Sequence, residues 1–198
     1  AAGRKVNPMD AVIGGRYVGV LFSTYIIIEG RDVFYLIDQH AAHEKLLYES
    51  LVDEFSDEHA LQAQNLLAPL AVRLSPADFE LLEEHDQVVR QLGFILDPMG
   101  PSTLAIRAIP ASRNQMDPEQ ALRALVDDLH VFDYEIFERD AAKQRHVLAT
   151  IACKAAVKGK DRLSDGEVDA LLKKMHLATD PWRCPHGRPT LIHVPERD

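Results

Sequence analysis

The sequence contains only two cysteines among its 198 residues, Cys153 and Cys184. That is too few for a disulfide framework, so a reducing, cytoplasmic setting is expected. No run of about 18 apolar residues occurs, so no membrane-spanning helix is expected. The opening Ala1-Ala2-Gly3-Arg4-Lys5 lacks an apolar signal region and an initiator Met, which makes the chain an expected piece of something longer. Positive charge is scarce: 22 Lys and Arg stand against 31 Asp and Glu, a formal net charge of -9. Nucleic-acid binders draw most of their affinity from phosphate contacts. Any work on DNA or RNA by this chain therefore needs metal ions, a tether or a partner. Neither a G-x-x-x-x-G-K-[ST] loop nor a G-x-G-x-x-G turn is present, which argues against a nucleotide pocket. There is no internal repeat.

What remains is an ordinary globular composition, 46% hydrophobic and 27% charged, enough for one sizeable domain or two small subdomains. Residues 1–10 are polar and read as a frayed linker end. Tyr17–Phe22, Tyr25–Ile28 and Val33–Ile37 are rich in β-branched and aromatic residues and are separated by turn-forming breaks. They read as consecutive, mostly antiparallel strands. Ala41–Phe55 then reads as a helix with Leu46, Leu47, Leu51 and Phe55 as its apolar stripe.

A polar stretch at 56–65 marks a subdomain boundary. Beyond it come a strand over Leu66–Leu74 interrupted by Pro69, and a helix opened by Ser75-Pro76 and closed at Gly93. A hairpin of Phe94–Leu96 and Leu104–Ile109 follows, then helices over Pro118–His130 and Phe137–Lys158. Ser164 with Glu167 forms a capping box for a further helix, and Thr190–Val194 reads as the closing strand.

The chemistry concentrates where the third strand hands over to its helix. Asp38 ends the strand, and His40 and Glu44 are four residues apart, on one face of a helix, a spacing that lets two side chains hold one ion. Glu49 lies nine residues from His40, half a revolution away at about 100° per residue, and suits an orienting or salt-bridging role. The plainer reading is that Asp38 and His40 only cap the helix. Cys184 and His186, two apart in an extended segment, make a zinc-preferring pair. Cys153, among apolar neighbours, reads either as a small buried hydrophobe or as a further donor. Together these side chains offer oxygen, nitrogen and sulfur ligands for one zinc with an open position, or for two metals. Arg188 suits a phosphate or carboxylate contact, because its guanidinium binds two oxygens at once. Of the other histidines, His43 is expected to be exposed, and His59, His85, His130, His146, His176 and His193 carry no assigned role.

The string Asp38-Gln39-His40-Ala41-x-x-Glu44-x-x-x-x-Glu49 resembles the endonuclease motif of MutL-type mismatch-repair proteins. Ala152-Cys153-Lys154 resembles that family's A-C-[RK] motif, and Cys184-Pro185-His186-Gly187-Arg188-Pro189 its C-P-H-G-R-P motif, in the same order. The resemblance implies the C-terminal domain of a nicking-type member. Its fold would be α+β, two-layered with mixed or antiparallel sheets. A homodimerisation subdomain from 11–55 and 137–198 would carry the metal site, and 56–136 would form a regulatory subdomain. Gln64-Asn65-Leu66-Leu67-Ala68-Pro69 resembles the Q-x-x-[LI]-x-P sequence through which MutL proteins contact the replication sliding clamp. Gln64 would supply hydrogen bonds there, and Leu67 and Pro69 would fill an apolar pocket; otherwise the segment is a loop entering a strand. The family usually ends in a basic F-x-R-type segment, for which Pro195-Glu196-Arg197-Asp198 offers no counterpart.

The implied activity is single-strand nicking of duplex DNA, with Asp38, His40 and Glu44 holding manganese or magnesium. Cys153, Cys184 and His186 would favour zinc in a structural or regulatory role. In the full-length protein the mismatch-recognition protein MutS would be a partner, and ATP would act through an N-terminal domain absent from this chain. The competing expectation is a non-catalytic dimerisation module stapled by zinc.

Overall fold

The computed structural model describes residues 8–58, 60–112, 116–131, 140–156 and 163–196. The chain gathers into two compact units, residues 1–46 with 158–198 and residues 47–157, each with its own apolar core. The class is α+β, and both sheets are antiparallel throughout.

The first unit is built on a four-stranded sheet. Its order is β1 (Arg16–Leu21), β2 (Tyr25–Glu29), β3 (Val33–Asp38) and then β7 (Leu191–Pro195), so the end of the chain lies beside the strand that leads into the Asp38–Glu44 stretch. Register pairs Ile26 with Ile37 and Ile28 with Tyr35. Strand side chains alternate between faces, so these four share one face. That face is buried with Met9 and Val12 of α1 (Pro8–Ile13), Ala42 and Leu46 of α2 (Gln39–Glu58), and Val168, Leu171 and Met175 of α7 (Asp165–Leu177). Each fully buried aliphatic side chain contributes about 1.5–3 kcal/mol. The same alternation leaves Leu21, Tyr25, Phe34 and Ile192 on the opposite face, and all four are exposed.

Helix α1 corrects the expectation of a frayed linker end at residues 8–10, while residues 1–7 lie outside the described residues. From Pro8 the chain is helical, Met9 and Val12 are buried, and Asp10 Oδ1 lies 2.8 Å from His176 Nε2 on α7. Two apolar residues three apart are enough to anchor one turn against a neighbour, but too few to stand out as periodicity. The capping box of α7 is present in both directions, from Ser164 to the Glu167 N–H and from Glu167 to the Ser164 N–H.

In the second unit, β4 (Ala63–Arg73), β6 (Thr103–Pro110) and β5 (Ile95–Gly100) form a sheet in that order. β4 is longer than its sequence suggests. Pro69 is tolerated because the register shifts between Asn65 and Leu70, so the missing N–H falls where the ladder is interrupted. The single helix expected from Pro76 to Gly93 is kinked at His85 into α3 (Pro76–Glu84) and α4 (Asp86–Gln91). Phe79 and Leu82 before the kink and Val88 and Val89 after it reach the same core. Gly93 ends the segment at φ 80, and a Cβ there would meet the Pro110 Cα at 2.9 Å.

Helices α5 (Pro118–Leu129) and α6 (Ala141–Ala155) complete this unit, capped by Asp117 and Asp140. The cap at Asp140 sets the start of α6 later than the expected Phe137, which lies outside the described residues, as does the expected end at Lys158.

Candidate functional site

The junction of β3 and α2 is held from three directions. The Asp38 N–H donates to the Thr190 carbonyl (2.9 Å), and the Gln39 N–H to the Thr24 carbonyl (3.0 Å). Asp38 Oδ1 accepts from the His40 and Ala41 N–H groups at 2.9 and 3.0 Å. That carboxylate therefore caps α2, the plainer of the two roles read from its sequence, and satisfies two of the helix's orphan donors.

One turn further on, the side chains meet as their spacing predicts. His40 Nε2 lies 2.8 Å from Glu44 Oε1, and Arg188 Nη2 lies 2.6 Å from Glu44 Oε2. Glu44 is only 1% exposed, so both carboxylate oxygens are taken up inside the protein. A carboxylate oxygen accepts, so the His40 Nε2 carries the proton in this contact. That leaves Nδ1 as a buried nitrogen with no hydrogen-bond partner. Arg188 also bonds Cys184; the Glu44 bond first, and then the Cys184 bond, hold its guanidinium firmly protonated.

The segment that supplies Arg188 is a tight loop. Gly187 adopts φ 81, its N–H donates to the Cys184 carbonyl (2.9 Å), and the Cys184 N–H donates to the Arg188 carbonyl (2.8 Å). Cys184 is buried, whereas His186 is exposed. The structure thus brings Asp38, His40, Glu44, Cys184 and Arg188 together and turns His186 to the surface. Glu49, half-buried, lies further along α2, and Cys153 is half-buried on α6; both belong to the second unit. Gln64, Leu67 and Pro69 are all exposed on β4, and the segment between Asn65 and Leu70 stands off the ladder with β6.

Three features of the site escaped the sequence. His43, expected to be exposed, is half-buried; burial, then the Lys174 and His40 charges, hold its imidazole below the usual range. Gln39 is 4% exposed and its Nε2 donates to the Ser23 carbonyl, tying the β1–β2 turn to the junction. Thr190, also buried, links the C-terminal loop to Asp38. Gln39 lies within the motif, but its role depends on a contact 16 residues away.

The donors fit a metal in kind. Imidazole, thiol and carboxylate are the ligand set of zinc, and a buried imidazole nitrogen without a partner is unfavourable unless something satisfies it. Among the described residues, however, no three His, Cys, Asp or Glu side chains converge as a preformed cage. Arg188 holds one oxygen of Glu44, so an ion drawing on Glu44 competes with that guanidinium.

The family model described as the MutL C terminal dimerisation domain matches residues 18–163. A DNA mismatch repair protein MutL from Caldanaerobacter subterraneus is 38% identical over 179 residues, covering 90% of this chain and 29% of that protein. The Clostridium beijerinckii protein of the same name is 34% identical over 95% of this chain and 28% of its own length. A third, from Halothermothrix orenii, is 30% identical over 97% and 29%. The chain spans less than a third of the length of these relatives, and it belongs to the MutL C-terminal dimerisation domain family.

Proposed function

We propose that this chain is a metal-dependent endonuclease domain that homodimerises and nicks one strand of duplex DNA, stimulated by the replication sliding clamp. The observation that carries this reading is the buried Glu44 carboxylate, shared between His40 of its own helix and Arg188 from a loop 144 residues away. A structural core gains little from burying an acid; a site that holds a cation uses one. His40, Glu44 and Cys184 would hold the ion, with Asp38 as a further donor. A bound divalent ion would activate water and offset charge on the phosphate.

Arg188 keeps 58% of its side chain exposed, so it can meet a phosphate oxygen while still touching Glu44. Asp38 fixes the first turn of α2 and with it the position of His40. The exposed segment Gln64–Pro69 suits an extended docking strand for the clamp. The exposed apolar sheet face with Leu21, Tyr25, Phe34 and Ile192 suits a second copy of the chain. MutS and ATP would act on the full-length protein.

The test is nicking of supercoiled plasmid with manganese by Asp38→Asn and Glu44→Gln variants. Loss of about 100-fold or more is expected for Glu44→Gln, on the scale of metal-site lesions; parental rates in both variants overturn the reading. The runner-up is a non-catalytic module stapled by zinc. It is favoured by Asp38 acting as a helix cap and by Arg188 occupying Glu44. Stoichiometric zinc that survives Asp38→Asn, with no nicking under added manganese, would select it.

A further inference from the structure

The β1–β2 connection is a tight turn from Leu21 to Thr24, closed by the Thr24 N–H donating to the Leu21 carbonyl at 2.9 Å. Its two central residues, Phe22 and Ser23, have φ 53 and 50. Both angles positive is the hairpin geometry that favours Asn-Gly. A bulky Phe in that region is strained, and here the residue is 87% exposed. The sequence thus places a poorly suited residue at the first turn position and gives the side chain no core to enter.

The surroundings hold this conformation in place. Thr24 Oγ1 donates to the Phe22 carbonyl (3.0 Å), Gln39 Nε2 donates to the Ser23 carbonyl, and the Gln39 N–H donates to the Thr24 carbonyl. Gln39 is buried, and its Oε1 has no hydrogen-bond partner, so the amide is committed to the turn at the expense of its own acceptor. Strain maintained by such constraints concentrates at functional positions. The next residue after Gln39 is His40. A continuous path therefore runs from the Phe22 turn through Gln39 and His40 to Glu44 and the half-exposed Arg188 guanidinium.

We propose that the β1–β2 turn is a duplex-engaging element of the candidate nuclease site, with the Phe22 ring wedged against a base step that it partly unstacks, beside the phosphate that Arg188 receives. The inference rests on the nuclease reading and names how the substrate is held. An aromatic face suits any base, so the contact is independent of sequence. It also supplies affinity without positive charge, which a chain of net charge -9 lacks. Phe22 lies in the turn, outside the cross-strand register that aligns Leu21 with Tyr25 on the apolar sheet face.

The test uses Phe22→Gly, which suits a positive φ and removes only the ring, and Phe22→Trp, which keeps an aromatic. Binding of a labelled duplex at low salt is read by anisotropy with calcium in place of manganese, and nicking is read separately. For Phe22→Gly, Kd and KM should rise about ten-fold, as expected for one lost base stack, with kcat within about two-fold. Phe22→Trp should restore both. Parental Kd in Phe22→Gly overturns the proposal, and so does loss of the dimer in sedimentation, which would assign the ring to the subunit contact. If the parent binds but never nicks while Phe22→Gly binds more weakly, the turn keeps its role and the nuclease reading falls.

Discussion

Glu44 at the start of α2 and Asp128 near the end of α5 are both acids withdrawn from water, 1% and 6% exposed, yet they are held in opposite ways. Glu44 has a donor on each oxygen, the His40 ring on one and the Arg188 guanidinium on the other. Asp128 faces α6 with His146 Nε2 at 3.9 Å, beyond hydrogen-bond reach, and its Oδ2 has no partner. Thr150 offers one hydroxyl, which also lies 3.1 Å from the His146 carbonyl, and a single proton cannot serve both. Burial accordingly lifts the Asp128 carboxyl to about 6, with His146, Thr150 and Lys154 only partly opposing the rise. One acid is built into a network; the other is carried by a seam that packs well around it. A buried carboxylate marks a site only when its surroundings were arranged to keep it charged.

The sharpest way to break this comparison is the same acid-to-amide change at both positions. Glu44→Gln places an amide NH2 against either the His40 N–H or the Arg188 N–H. The fold should lose about 2–3 kcal/mol in urea unfolding, the scale of a charge-assisted hydrogen bond replaced by an unsatisfied donor. Asp128→Asn removes a charge that the seam does not compensate, and at pH 7.5 it should gain up to about 2 kcal/mol. If both changes destabilise alike, the distinction between the two acids is wrong.

The Asp128 half of the comparison has a pH signature. Its folded value of about 6 lies above the usual 3.8. The associated stability is therefore complete below the unfolded value and is lost as pH rises through the folded one. Parent-minus-variant urea midpoints should fall between about pH 4 and pH 6 and level off above pH 7. The difference isolates Asp128, because the other carboxylates are common to both proteins. A flat difference would mean that Asp128 stays ionised in the fold.

The two acids also show what the sequence can convey. Glu44 was legible because its partners follow from local spacing and from motifs: His40 is one helical turn back, and Arg188 lies in a recognisable loop. Asp128 sits in an acidic pair at the end of an amphipathic helix, where a charged residue ordinarily faces water. Its burial is decided by how α5 meets α6, which no local pattern encodes. The strands and helices were likewise readable where alternation or caps ran long enough, as in β2, β3 and the Ser164–Glu167 capping box. They were not readable where one turn rests on two side chains, as in α1, or where a helix bends so that both halves reach a core, as at His85. Gln39 and the Phe22-Ser23 turn were hidden for the same reason, since the hydrogen bond from Gln39 to the Ser23 carbonyl spans 16 residues.

The smallest effect on the fold is expected at β4, and it sharpens the comparison from the exposed side. Leu67 and Pro69 sit where β4 leaves its ladder, Gln64 pairs with Ile109 just before that break, and Leu67 has no measurable burial. Changing the three together to Ala should shift the urea midpoint by no more than about 0.5 kcal/mol equivalent, the range of surface substitutions away from special features. Clamp stimulation of nicking should be lost while basal nicking stays at the parental level. Leu66, half-buried against the core next to Leu67, is the control: Leu66→Ala should destabilise the second unit measurably. Unfolding of the triple variant to a similar extent would make the segment structural. Intact folding with undiminished stimulation would move clamp contact elsewhere. On the proposed reading Glu44 and Leu67 would be opposite kinds of functional residue, one recognised by the partners it gathers out of water and the other by the burial it forgoes.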